Sequence, residues 1–222
     1  MPDDNIVNSF IDSIESPNIN NLREISEEIV LDSILDNELI KEIPVFGLLS
    51  KLYNTGLHIR EKIFAKKIYN FLYELRNISD EKRKKIYKKI DKNDKYRSRV
   101  GDTLIMILDK LNEYEKSSII GKLFKTYINE EITYSTFIRL TQIVESSFLD
   151  DLIDLKKYFK YSNHNKSIYK YFNDIQRNHL NNLGVLNFVV RDSYVPPNKT
   201  IVNYKINELG EKLIKYGLDG YW

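Results

Sequence analysis

Residues 184–210 read GVLNFVVRDSYVPPNKTIVNYKINELG, and this stretch decides the fold. Two runs rich in β-branched and aromatic residues, Val185–Tyr194 and Thr200–Ile206, flank Val195-Pro196-Pro197-Asn198-Lys199. The prolines cannot donate to a strand ladder and Asn198 suits a turn, so the pattern predicts a β-hairpin. Gly184 stands where a preceding helix needs a left-handed residue to stop. Asn207 follows the second run, and its side chain can cap a last helix over Glu208–Tyr216.

Upstream of the hairpin the apolar period is helical. A helix is predicted over about Lys166–Leu183, a short one over Phe148–Phe159, and another, capped by Thr133 or Ser135, that carries Phe137, Ile138, Leu140, Ile143 and Val144. Before Glu130, helices are predicted over about 21–40, 46–76, 80–90, 98–113 and 115–128. Pro44 interrupts the first two of these and Gly56 weakens the second. Ser79-Asp80-Glu81 offers a hydroxyl cap followed by acids suited to the positive end of a helix dipole. Residues 1–20, with Pro17 and several Asn, are expected to form a flexible acidic arm. The predicted fold is therefore mainly α: an arm, an N-terminal helical bundle over 21–130, and a domain with one β-hairpin over 131–222.

Composition narrows the classes of function. A 42% hydrophobic share supports a packed core, and 8 Gly and 5 Pro leave few breakers for helices. The chain has no cysteine, which excludes disulfides and thiolate metal sites and suits a reducing cytoplasm, the expected location. Met1-Pro2-Asp3-Asp4 opens no secretory signal, and the most apolar stretch, 43–49, is far short of the roughly 20 residues a spanning helix needs. The net charge of +2 hides segregation: ten acids face Arg23 alone in 1–40, while fifteen Lys and Arg face six acids in 60–100. These opposite blocks lie close enough in sequence to meet, so the acidic segment 21–40 is expected against the basic one.

Motifs for chemistry are weak. His58, His164 and His179 lie in different elements without ligand spacing, and His179 falls on a predicted apolar stripe, as a structural histidine would. Gly121-Lys122-Leu123 lacks the upstream glycine and following Ser or Thr of a phosphate loop. Asp151, Asp154 and Lys156 sit on an amphipathic helix and read as a solvated face. No catalytic residue, metal ligand or cofactor is expected.

Two segments carry a resemblance. Leu180-Asn181-Asn182-Leu183-Gly184-Val185-Leu186 resembles the helix-to-wing corner of winged-helix proteins. Tyr204-Lys205-Ile206-Asn207-Glu208-Leu209-Gly210-Glu211-Lys212-Leu213-Ile214 resembles their strand-to-helix exit. With three helices ahead of the hairpin, the resemblance implies a winged-helix domain that binds DNA, RNA or another protein. The front part, through Lys41-Glu42-Ile43-Pro44-Val45-Phe46-Gly47, Ile59-Arg60-Glu61-Lys62-Ile63-Phe64 and Tyr114-Glu115-Lys116, resembles bacterial mobile-element and phage-related proteins with no assigned activity.

Two surfaces are candidates for binding. Lys166, Lys170, Asn173, Arg177 and Asn181 recur at three or four residues and would share one face of a recognition helix opposite Ile168, Phe172, Ile175 and Leu183. Arg191 and Lys199 on the wing would reach phosphates. The second surface is a cluster of Lys82, Arg83, Lys84, Lys85, Lys88, Lys89, Lys92, Lys95, Arg97 and Arg99, dense enough to neutralise phosphates or anionic lipid, or else a solvated face. The expected function is a non-enzymatic nucleic-acid-binding regulator, its bundle serving dimerisation or sensing. The alternative is a protein-interaction adaptor in a phage-conflict or mobile-element system. A membrane-surface role for 43–75 is a further possibility.

Overall fold

The computed structural model describes residues 4–25, 29, 31–53, 59–161, 172–192 and 200–219. The protein is mainly helical, with one small antiparallel sheet, and divides into two compact units, Met1–Tyr134 and Ser135–Trp222.

The first unit opens with α1 (Asp4–Glu15), which replaces the flexible arm expected over 1–20. Val7, Phe10, Ile11 and Ile14 recur at helical spacing and are all buried. Pro17 does not loosen the chain, because it begins a 3-10 helix (Pro17–Arg23) whose first turn is capped by Ser16. No single helix spans 21–40: α2 (Leu31–Ile34) and α3 (Glu38–Lys41) are short, and Asn37 caps the second. The asparagines explain the break. Asn21 Nδ2 donates to the Leu39 carbonyl and the Glu42 carboxylate, and Asn18 Nδ2 to the Glu42 carbonyl, so these side chains tie turns together instead of facing water from a helix.

Pro44 starts α4 (Pro44–Tyr53) rather than only ending what precedes it, and α5 (Ile59–Leu75) follows; the predicted single helix over 46–76 is thus two described helices. Gly56 lies outside the described residues. The Val45 N–H at the start of α4 donates to Ser13 Oγ of α1 at 2.9 Å, a cap supplied from another helix. Then come α6 (Asp80–Ile90), α7 (Asp94–Lys110) and α8 (Glu115–Ile128). Ser79 has the extended backbone of a cap, but its side chain makes no capping bond.

Aromatic rings run through this unit in a relay: Phe10 to Phe71 at 5.5 Å between centroids, Phe71 to Phe124 at 5.4 Å, Phe124 to Tyr127 at 5.8 Å, and Tyr127 to Tyr134 at 5.6 Å. Helix α8 comes so near α5 that a Cβ on Gly121 would stand 2.7 Å from the Phe71 carbonyl oxygen. Gly121 is therefore a packing residue, not the remnant of a phosphate loop.

The second unit holds α9 (Tyr134–Ser146, its first residue shared with the unit before), α10 (Leu149–Tyr161), α11 (Asp174–Asn182), β1 (Leu186–Asp192), β2 (Thr200–Ile206) and α12 (Glu208–Leu213), which runs into a wider π-helical turn, Ile214–Leu218. The strands pair antiparallel in the register Leu186↔Ile206 through Asp192↔Thr200. Gly184 has φ +76, the left-handed value that ends α11. Asn207 accepts the Gly210 N–H at 3.0 Å and donates to the Gly184 carbonyl at 2.8 Å, so one side chain joins hairpin, α11 and α12. Leu180, Val185, Leu186 and Leu213 are buried, while Leu183, Ile206 and Leu209 are partly covered. Among the described residues no helix is long and apolar enough to cross a membrane.

Candidate nucleic-acid interface

The recognition face expected on 166–181 does not assemble among the described residues. Lys166 and Lys170 lie outside them, as does Lys199; Arg191 sits in β1, opposite Ile201. Helix α11 begins only at Asp174, so Asn173 is its cap, in a reciprocal capping box with Gln176. Arg177 is 5% exposed, and its guanidinium donates to the Phe172 carbonyl and to Asp174. A late helix start thus turns the central predicted base reader inward, where it satisfies the first turn of its own helix. Asn181 is half-buried, and Ile175, expected on the buried stripe, is 81% exposed.

Nearby, Asp151 is buried rather than solvated: it accepts from Gln176 Nε2 at 2.9 Å and meets His179 Nδ1 at 3.2 Å. The His179 ring also lies 5.4 Å from that of Phe148, so this histidine holds α11 against the α10 region. Among the described residues no cluster of His, Asp or Glu is placed to hold a metal ion.

Within the basic cluster of α6 and α7, Arg83 and Arg97 are drawn into the fold, while Arg99 stays exposed with the lysines. Arg83 is 0% exposed, with Nη1 donating to the Ile78 carbonyl at 3.1 Å and to Asn20 Oδ1 at 3.3 Å, and Nη2 to Asp80 at 2.5 Å. Burial pushes its pKa down, and Asp80 offsets part of that. Arg97 reaches Asp12 and Asp91, each at 2.7 Å, Tyr87 Oη at 2.9 Å and Asn8 Oδ1 at 3.1 Å. Burial lowers its pKa, but the hydrogen bonds to Asp12, Tyr87 and Asp91 together hold it above its ordinary value. The acids that meet the basic block thus include Asp12 of α1, outside the expected 21–40. Arg83 is removed from the candidate surface, because a planar guanidinium with five donors is taken up by internal carbonyls and carboxylates.

The lysines stay outside. Lys82, Lys84, Lys85, Lys88, Lys89 and Lys92 are exposed, while Ile86 and Ile90 bury the other face of α6. Lys82, Lys85, Lys88, Lys89 and Lys92 line one side of a groove of about 660 Å³, open to solvent, whose other wall is Tyr127, Ile128 and Glu130–Tyr134. Lys82 Nζ donates to Asn129 Oδ1 at 2.9 Å, Lys85 Nζ pairs with Glu130 at 2.8 Å, and Lys89 Nζ stands 5.3 Å from the centre of the Tyr127 ring. Lys88 and Lys92 have no carboxylate within ion-pair distance among the described residues. The hydrogen bond from Lys85, its charge, and the charges of Lys89 and Lys82 hold the Glu130 carboxyl below its ordinary pKa.

Glu130 itself has φ +63, the left-handed region. Its N–H donates to the Tyr127 carbonyl at 3.0 Å and that of Glu131 to Thr126 at 3.1 Å, the Schellman pattern that closes α8. The sequence points to none of Tyr127, Glu130 and Tyr134 as binding residues, with Tyr127 read only as part of the apolar period of 115–128. The signal for Glu130 was the end of an apolar helical period at Ile128 with no glycine behind it. No family model matches the chain, and neither curated proteins nor solved structures match it.

Proposed function

We propose that the protein is a non-enzymatic nucleic-acid-binding regulator whose phosphate-contacting surface is the lysine-lined groove of α6. The observation that carries this reading is the sorting of charge: Arg83 and Arg97 of the cluster serve the fold, and five of its lysines, Lys82, Lys85, Lys88, Lys89 and Lys92, face one groove. Lys82, Lys85 and Lys89 follow at three and four residues, a row of about 10 Å at helical rise, and Lys92 follows just past the end of α6. A row of mobile ammonium groups neutralises phosphates without reading bases. We also propose that the second unit is a winged helix, on the support of its order of helices, hairpin and closing helix and of the Gly184 and Asn207 corners. Its base-reading role no longer includes Arg177.

The test is fluorescence anisotropy with labelled oligonucleotides over a salt series. Four phosphate contacts on a single strand give a slope of log affinity against log salt of about −2.8, or about −3.6 on a duplex. Lys82→Gln with Lys89→Gln should weaken binding to every sequence alike and flatten the slope by about 1.4 or 1.8 respectively. Absence of binding at low salt sinks the reading. A second reading, a protein-interaction adaptor, is favoured by three exposed apolar side chains in the second unit, Phe148 at 67%, Ile175 at 81% and Phe188 at 60%. It takes over if no oligonucleotide binds.

A further inference from the structure

We propose that Glu130 is a built-in competing anion, and that the groove admits a single nucleic-acid strand with a backbone phosphate taking the place of the Glu130 carboxylate beside Lys85. The inference rests on the nucleic-acid reading above and specifies its ligand and its gate.

Three observations lead to it. First, the chain closes two helices with the same Schellman bonds but different residues. After α11 the left-handed position is Gly184, with φ +76, its N–H donating to Asn181 at 2.9 Å and that of Val185 to Leu180 at 3.0 Å. After α8 the equivalent position is Glu130, with φ +63. Glycine would adopt that conformation without the Cβ penalty that glutamate meets, so backbone economy does not account for a glutamate there. Second, the tight turn delivers the carboxylate to Lys85 at 2.8 Å, with Lys82 and Lys89 also acting on it. An anion already occupies a point on which three ammonium groups of the row act. Third, the pair is solvent-exposed, with 68% of the Lys85 side chain and 65% of the Glu130 side chain accessible, so it opens at little cost and competes on equal terms with an incoming phosphate.

The wall behind the lysines selects the form of the ligand. Tyr127, Ile128, Ile132 and Ile86 of α6 line it from nearly buried positions, and Tyr134 is its half-exposed aromatic residue. A duplex stacks its base faces inward and presents phosphates and base edges. A single strand presents phosphates to the lysines and a bare base face to the Tyr134 ring, the combination of charge and stacking that single-strand grooves use. Lys88 and Lys92 extend the row beyond the gated position and supply the first, ungated contacts.

The experiment uses the full chain, a labelled oligothymidylate and the same sequence as a duplex, titrated over a salt series. Glu130→Gln removes the competing charge and keeps the side-chain length; Glu130→Gly also relieves the backbone; Glu211→Gln changes net charge equally at an exposed position that does not line the groove. The expected result is tighter single-strand binding by both Glu130 variants. Their salt slope steepens by about 0.7, from about −2.1 in wild type, where Glu130 already neutralises Lys85, to the four-contact value of about −2.8 on a single strand. Glu211→Gln leaves the slope as in wild type. Unchanged binding by Glu130→Gln, or a slope change shared by Glu211→Gln, overturns the gate while leaving the nucleic-acid reading intact. Preference for the duplex overturns the single-strand assignment. Absence of binding by wild type and by both Glu130 variants overturns that reading and the inference together.

Discussion

At Arg83 and Arg97 the guanidinium groups behave as fold-forming hubs, while Lys82, Lys85, Lys88, Lys89 and Lys92 remain at the surface. A weakly hydrated fork of five donors suits buried carbonyls and carboxylates, but packing decides as well, since buried Lys67 also donates to the Asp109 carbonyl at 2.8 Å. Replacing Arg83 by Met keeps bulk but strands the Ile78 carbonyl and leaves Asp80 and Asn20 without their partner. Arg83→Met should cost about 1.5–3 kcal/mol by urea unfolding, the range for hydrogen bonds to a charged group. The salt slope of oligonucleotide binding should stay as in wild type. Glu130 provides a pH test. Its carboxyl titrates below its ordinary 4.5 in the folded chain, so its pairing contributes stability above pH 4.5 that is lost as pH falls through the lowered folded value. The thermal midpoints of wild type and Glu130→Gln should therefore converge as the pH drops below that window.

Helix α1 shows how an element hides in a polar context. Its Asp and Asn residues and the proline after it suggested an arm, yet Val7, Phe10, Ile11 and Ile14 form a stripe narrow enough to be overlooked and fully buried. Phe10 lies 5.5 Å from Phe71 at the head of the aromatic relay. Phe10→Ala should cost about 3–5 kcal/mol, measured by chemical denaturation, because the cavity opens between α1 and α5. A loss below about 1 kcal/mol would mean that α1 is not docked, and would restore the arm. Gly101 is part of the same joint: a Cβ there would meet Val7 Cγ1 at 2.5 Å, so α7 packs on α1 through a missing side chain. The paired strands and α12 were legible because strand alternation, Gly184 and Asn207 act over a few residues; the turn expected at Val195–Lys199 lies outside the described residues. Leu213, buried at 0%, should cost about 2–5 kcal/mol on replacement by Ala.

For the whole molecule, the two compact units and the location of every groove residue within Met1–Tyr134 lead to a fragment test. Residues 1–134 expressed alone should give a cooperative thermal transition and keep the salt slope of the α6 groove; a fragment that folds without binding would move the nucleic-acid contact to the second unit. The chain's own sequence determined the helical class, the positions of α6, α8, α9 and α10, the hairpin with its flanking corners, and the block of positive charge, whereas α7 begins four residues and ends three residues earlier than its apolar period indicates. Those features depend on periodicity, caps and turn residues, which act over one or two turns of chain. Tertiary structure alone decided which cations serve the fold and which the surface. Arg83 meets Asn20 and Arg97 meets Asp12, partners separated from them by 63 and 85 residues, and Lys85 meets Glu130 across 45. Charge pairing of that range follows from how α1, α6, α7 and the end of α8 pack, because a local pattern records that a residue is charged but not whether packing brings it a buried partner.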